Sequence, residues 1–391
     1  LNNSKNQPTS SAIESLFQLC ASSVNQEQPT FQINNWKSVV NLAEQHRISK
    51  GVDQVIKAQE ISVPDELTDR LATLTKRGTL RMLTFSAEIS NICHRLNQEG
   101  IKAIPLKGPI VAKQIYNDFT AKFSRDIDFL IQQEQLEHTI QIIEKQGYVI
   151  TYPYQSLSAK QKKAFQKVNN QLAFFHVQKK IQLEIHWRLF ANPYLLPIPF
   201  DKLIAEGSQI QIGNTIVPCL SNKHLLFFLC AHGAKHQWAL LYWLVEVATL
   251  VKKENFDWDT TLQEATNLGI ERPLIQGLML IQLFFEIEAP TCVQEKYQKD
   301  DIIQEIVQDS SQIVKENQQT LSKNPILNYW QNLSYKVKLR KGLNYKLAYW
   351  KGFSVNDFQI INLPDSLFFG YFWLRPFFWV WRYLLKPTTK S

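Results

Sequence analysis

The chain has 391 residues, of which 45% are apolar and 12% aromatic. That composition excludes a wholly disordered, collagen-like or low-complexity chain, and the length predicts two or three domains. The net charge of +8 is concentrated: residues 334–391 hold ten Lys/Arg against two Asp/Glu, while the first 333 residues hold 33 of each. The excess points to an anionic partner of the C-terminal tail, not to a protein basic throughout.

Five cysteines, Cys20, Cys93, Cys219, Cys230 and Cys292, are scattered and form no CxxC pair. A disulfide framework or Cys-type zinc knuckle is not expected, and a reducing cytosol fits best. The opening run LNNSKNQPTSS is polar, unlike a secretory signal, and its first residue, Leu1, predicts a trimmed start.

From Ala12 to Leu83 the pattern is mostly helical, with Trp36, Val39, Val40, Leu42 and Ala43 at helical spacing. Met82 to Asn97 reads as an amphipathic helix with Phe85, Ile89, Ile92 and Leu96 on one face, stopped by Gly100. The pattern then changes. A strand is predicted over Ile101–Leu106, a turn at Lys107-Gly108-Pro109, a helix over Ile110–Tyr116 and a strand over Asp126–Ile131. A helix over Glu134–Gln146 ends at Gly147, and β character resumes at Tyr148–Tyr152. A hairpin follows, Leu172–Val177 with Ile181–Trp187. Ser221 is a candidate N-cap for a helix over Lys223–His232; a second covers Trp238–Lys252, and more run to about Gln318. The predicted fold class is α+β, a small mixed sheet between helical regions. The expected divisions are 1–83, N-terminal helices; 84–220, the α+β core; 221–333, a helical domain; and 334–391, a basic, aromatic-rich tail.

Two apolar stretches raise the question of a membrane span. Leu240–Val251 is short and contains Glu246, so it reads as a buried helix. Ser366–Leu385 is long enough to span, but Arg375 lies near its middle, at a cost of about 2.5–3.5 kcal/mol, and Pro376 follows. Ten of its twenty residues are Phe, Trp or Tyr, which favours an interfacial or protein-packed segment.

The sharpest chemical feature is Asp126-Ile127-Asp128. In a strand, residues two apart share a face, so both carboxylates project together while Ile127 and Phe129 face the core. Such a pair suits a hard divalent cation, Mg²⁺ or alternatively Mn²⁺; two solvated acids near a turn would look the same. In Ile181–Trp187 the apolar residues alternate, which puts Gln182, Glu184 and His186 on the opposite face. If this strand neighbours Asp126–Asp128, Glu184 becomes a third carboxylate; otherwise it lies on an ordinary polar face. Leu106-Lys107-Gly108 reads as strand, glycine turn and helix start, a place where backbone can approach a phosphate, or a simple βα turn.

The string PLKGPIVAKQIYNDFTAKFSRDIDFLI, followed about fifty residues on by LEIHW, resembles the polymerase-β-type nucleotidyltransferase superfamily. It looks most like the bacterial "nucleotidyltransferase family protein" group, and it is similar to nucleotidyltransferase toxins of abortive-infection systems. The segment HLLFFLCAHGAKHQWALLYWLVEVATLV is similar to the helices that follow the catalytic module in the first group, so the resemblance covers about Ile101 to Val251. It implies Asp126 and Asp128 as metal ligands and Glu184 as the third carboxylate, ligand or base. It implies that Lys107 and Gly108 cradle the nucleotide phosphates, and that Ser124 and Arg125 contact phosphate or brace the loop. One departure is that Gly108 is followed by Pro109, which removes a backbone donor from the turn.

His232 and His236 stand four apart in HGAKH, but Gly233 occupies the place of the glutamate in HExxH, which rules out that protease motif. Substrate contact or helix–helix hydrogen bonding is expected of them, and His186 is a further candidate contact. Trp187 and Trp243 read as core residues. In the tail, Tyr335–Lys351 interleaves six Lys/Arg with Tyr335, Tyr345, Tyr349 and Trp350, which suits nucleic acid, an anionic membrane surface or a solvated basic helix.

The expected function is Mg²⁺-dependent transfer of a nucleoside monophosphate from an NTP, ATP among them, to an acceptor, with pyrophosphate release. The acceptor classes open at this point are a small molecule, a peptide, a protein or a tRNA. The alternatives are a non-catalytic nucleotide-binding or membrane-docked module on the same scaffold, and a toxin-like tRNA-modifying enzyme. The expected location is cytoplasmic, with the tail able to reach the inner membrane face.

Overall fold

The protein is described here by a computed structural model that covers residues 11–27, 33–152, 154–316, 325–351, 360–361 and 363–380. Helix α1 (Ala12–Asn25) starts at a capping box, in which Ser11 and Glu14 each accept the other's backbone N–H. Helices α2 (Trp36–Gln45) and α3 (Ser49–Ala58) follow, and then α4 (Asp65–Gln98), 34 residues long. The helix expected over Met82–Asn97 is the second half of α4. The helix runs through Gly78. Its hydrogen has a packing reason: a Cβ there would lie 2.1 Å from the Phe123 ring.

The sheet comprises β1 (Ala103–Pro105), β2 (Asp126–Ile131), β3 (Tyr148–Ile150), β4 (Gln171–His176) and β5 (Ile181–His186), in the order β1-β2-β5-β4-β3. Only the β2–β5 pair is parallel among the described strands. Helix α5 (Pro109–Tyr116) leaves β1, and α6 (Leu136–Lys145) joins β2 to β3. Apolar residues of α4 and α6, among them Phe85, Ile89, Ile140 and Ile143, pack on Ile127, Phe129, Leu183 and Ile185. These are the alternate positions of β2 and β5, so the opposite positions are left for polar side chains. The α+β class is as expected.

Several elements were not expected. Helix α7 (Ala159–Val168) is mostly polar and buries little beyond Phe165 and Gln161. After α8 (Phe200–Ala205), the hairpin β6 (Ser208–Ile212) and β7 (Thr215–Cys219) turns at Gly213, whose φ of 56° favours glycine.

The helical wall begins with α9 (Asn222–Lys235), capped as expected by the Ser221 hydroxyl, which accepts the His224 N–H at 3.2 Å. It continues with α10 (Leu241–Lys253), α11 (Trp258–Leu268), α12 (Glu271–Phe285), α13 (Thr291–Lys299) and α14 (Asp301–Glu316). Leu16, Leu19 and Val40 near the N-terminus share one core with Leu225, Leu244 and Leu278.

Helices α15 (Pro325–Lys338) and α16 (Leu343–Lys351) carry the basic stretch of the tail. Tyr335 is buried against Gln276 and Ser310, and the Tyr345 hydroxyl donates to the Lys336 carbonyl at 2.7 Å. Both tyrosines belong to the core, so neither ring is free to stack on a nucleic-acid base. No described helix is long and apolar enough to cross a membrane. Residues 381–385 of the aromatic segment lie outside the described residues.

Helix α9 runs through Gly233, where a Cβ would stand 2.4 Å from the Trp238 ring. Gly233→Ala is therefore predicted to destabilise the protein by about 1–3 kcal/mol through overpacking, read as a lower midpoint in denaturant unfolding.

Candidate active site

Parallel pairing of β2 with β5 sets Asp126 opposite Gln182, Asp128 opposite Glu184 and Leu130 opposite His186. The carboxylates of Asp128 and Glu184 are therefore lateral neighbours, and Asp126 lies two residues before Asp128 on the same face. The Leu106 N–H donates to the Asp128 carbonyl at 3.0 Å, which carries β1 alongside and delivers Lys107 to the acids. Lys107 Nζ lies 3.0 Å from Asp128 Oδ1, and His186 Nε2 lies 3.0 Å from the same oxygen. His186 Nε2 is also 3.5 Å from Glu184 Oε2, and its Nδ1 meets Asn170 Nδ2 at 3.0 Å. The Ser124 hydroxyl lies 2.9 Å from the Asp126 carbonyl oxygen and 3.3 Å from Asp126 Oδ1.

The pKa values of the two aspartates shift in opposite directions. Burial disfavours the charge on both. At Asp128 the Lys107 ammonium and His186 overcome that penalty and hold the carboxyl well below the usual carboxylate range. At Asp126 burial and the Asp128 charge together raise the pKa. Burial also opposes the charged forms of Lys107 and His186, yet the neighbouring carboxylates push both pKa values up.

The donor set fits a divalent cation. Asp128, Glu184 and His186 each offer a ligand atom, and the three atoms lie within 4.8 Å of one another. Among the described residues Asp128 Oδ2 is buried without a hydrogen-bond partner, an expensive state for a carboxylate oxygen unless a cation completes it. Asp126 stands outside this trio, with its carboxylate oriented by Ser124.

Lys107, Ser124 and Asp126 line a cleft of about 580 Å³. His232, His236, Trp243, Arg47, Lys122 and Tyr242 also line it. The His236 ring stacks on Trp243 at 5.4 Å and lies 4.8 Å from His232. Burial, with nearby lysines, holds both imidazoles neutral, His232 well below the histidine range and His236 down to about 3. Burial likewise pulls the neighbouring Lys235 down to about 8. Trp243 is buried as expected, and its ring also forms cleft wall. A second cavity of about 660 Å³ shares Arg47, Lys122, Phe123 and Tyr242 with the cleft. Arg47 and Lys122 both lie over the Tyr242 ring, at 5.8 and 5.6 Å, and Lys122 pairs with buried Glu246.

The structure thus brings Lys107, Ser124, Asp126, Asp128, Glu184, His186, His232 and His236 together. Gly108 caps α5 with φ 70°, and Pro109 is the first helical residue. The Arg125 side chain is exposed and does not line the cleft, although its carbonyl accepts from Arg81 Nη2 at 2.6 Å. Sequence reasoning missed Arg47, Lys122, Asn170 and Tyr242. Only tertiary packing brings them to the site, although a DFTAK string that delivers Lys122 just before the acids was a usable hint.

A family model described as "Uncharacterised nucleotidyltransferase" matches residues 33–286, which contain every residue of this site. The chain belongs to that family, whose name denotes transfer of a nucleoside monophosphate group. No curated protein and no solved structure matches the chain.

The opposite shifts of the two aspartates predict opposite effects in metal-free protein. Asp128 has a depressed pKa, so its stabilising contribution is present above about pH 4 and is lost as pH falls through the folded value. Asp128→Asn should cost about 3 kcal/mol of unfolding free energy at pH 7, with the deficit shrinking in acid. Asp126 has a raised pKa, so its ionisation destabilises the fold as pH rises past the usual carboxylate range, and Asp126→Asn should raise the unfolding free energy at pH 7. Urea unfolding in chelator, at pH 7 and pH 3.5, measures both signs.

Proposed function

We propose that this protein is a Mg²⁺-dependent nucleotidyltransferase that moves a nucleoside monophosphate from an NTP to an acceptor hydroxyl and releases pyrophosphate. The observation that carries the reading is the parallel β2–β5 register, which sets Asp128 beside Glu184 with Asp126 on the same face and Lys107 above them. In the reaction the acceptor oxygen bonds to the α-phosphorus, the bond from that phosphorus to the bridging oxygen breaks, and the hydroxyl proton passes to a base. Asp126, Asp128 and Glu184 would hold the metal; when bound, it supplies charge stabilisation to the α-phosphate and lowers the pKa of the attacking hydroxyl.

The remaining roles follow from position. Glu184, beside Asp128, is the candidate base or third ligand. Lys107, released from Asp128 when a metal takes over the carboxylates, would turn to the phosphates with the Gly108 N–H and Ser124. His186, braced by Asn170, would keep Asp128 and Glu184 apart at the correct spacing. His232 and His236, neutral and stacked with Trp243, would pack the nucleoside side of the cleft. The adjoining cavity would receive the acceptor, and Arg47 lines both spaces.

Three outcomes test the reading in assays with α-labelled NTPs, Mg²⁺ and a cell extract as the source of acceptor. Asp126→Ala and Asp128→Ala should each lower label transfer at least about a thousandfold, and chelator should abolish it. Wild-type turnover in both variants would refute the mechanism. NTP-induced thermal stabilisation without pyrophosphate release would instead identify a non-catalytic nucleotide-binding protein. Arg47→Gln should reduce transfer to the acceptor about tenfold or more while leaving Mg²⁺–NTP thermal stabilisation unchanged. Label on tRNA would select the toxin-like branch of the same chemistry.

A further inference from the structure

A second cluster of metal-ligating groups lies away from the cleft. Glu206 caps the C-terminus of α8, His224 lies in the first turn of α9, and Glu264 sits within α11. One ligand atom from each falls within 4.8 Å of the others. None of the three lines the catalytic cleft.

His224 is the unusual member. Its side chain is 0% exposed, and neither Nδ1 nor Nε2 has a hydrogen-bond partner among the described residues. A buried imidazole with both nitrogens unsatisfied costs roughly 1–3 kcal/mol per lost group, so such an arrangement calls for a ligand. Nε2 lies 3.5 Å from Glu206 Oε2, and the two make no hydrogen bond. That separation has a direct reading. Two ligand atoms each about 2.1 Å from a tetrahedral ion stand about 3.4 Å apart. A nitrogen and two carboxylates form a donor set that suits a zinc-class ion better than the all-oxygen shells of magnesium or calcium.

We propose that His224, Glu206 and Glu264 form a second metal site, for Zn²⁺, that ties α8, α9 and α11 together. The two carboxylates match the charge of the ion, and a water completes the fourth position. In the metal-free protein Glu264 is held by Lys202 at 2.9 Å and by Lys223, and Lys202 is 3.6 Å from Glu206. Zinc binding displaces these ammonium groups to solvent, so metal and lysine compete for the same oxygens. The role is structural: α9 carries His232 about two turns further on and ends at His236, its C-cap, so fixing its start fixes the wall of the cleft.

The test is zinc titration of the full chain by calorimetry after exhaustive chelation, with ZnCl₂ alone as the probe. His224→Gln and Glu206→Gln should each bind one equivalent of Zn²⁺ fewer than wild type. Lys202→Met should bind the same number with an affinity about tenfold higher. Zinc should also raise the unfolding temperature of Asp128→Asn, in which the catalytic carboxylates are disrupted, but not that of Asp128→Asn/Glu206→Gln. Should His224→Gln fail to fold, the exposed Glu206→Gln carries the comparison. Equal stoichiometry and affinity in wild type and Glu206→Gln, or equal thermal response in the two Asp128→Asn proteins, would overturn the proposal. Neither readout depends on nucleotidyl transfer.

Discussion

Asp126, Asp128 and Glu184 are held on one sheet face by two parallel strands whose other face is committed to the core. Neither strand can turn its acids away without exposing Ile127, Phe129, Leu183 and Ile185, because a one-residue slip exchanges the two faces. The mutual repulsion of the acids is therefore imposed by the hydrophobic core of the sheet. Lys107 and His186 offset part of it, both on a single oxygen of Asp128, and the second oxygen of that carboxylate stays buried and unmatched. Such a face is stable when a cation neutralises it and costly when none does, as expected where function sets the arrangement against stability.

The surrounding helices give the face its cleft, and they come from distant parts of the chain. Arg47 reaches it from the turn between α2 and α3, Lys122 and Ser124 from the loop after α5, and His232, His236 and Trp243 from α9 and α10. The N-terminal and C-terminal helices share a core, so the substrate wall and the chain's outer helices are one packed unit. The pairing of Lys122 with buried Glu246, beside Tyr242, ties the loop that leads into β2 to α10. A polar contact at that depth fixes geometry more than it adds stability.

Strand faces were legible in the sequence because a period of two needs only local alternation, and both DIDFLI and IQLEIH show it. What the sequence could not show is which strands are neighbours. That β2 lies beside β5, and in parallel, is decided by the crossover through α6, β3 and β4, and it alone converts Glu184 from a polar surface residue into the lateral partner of Asp128. His186 was legible as a same-face residue, but its contact with Asp128 was not. Helix α7 escaped notice because its apolar face is narrow. Arg47 and Tyr242 carry no local signature at all. The tail misled in the other direction: Tyr335 and Tyr345 sit among lysines in sequence yet bury their rings, since helical periodicity separates neighbours in the chain onto opposite faces.

The central claim is that the acidic face of β2 and β5 binds a divalent metal together with the triphosphate. The most direct measurement is anomalous scattering at the manganese edge from crystals grown with Mn²⁺ and a non-hydrolysable NTP analogue. The account predicts a peak within bonding distance of the Asp126 and Asp128 carboxylates, with the α-phosphate beside it and Lys107 moved from Asp128 onto the phosphates. Nucleotide density in the cleft with no anomalous peak there, and Lys107 still on Asp128, would contradict it.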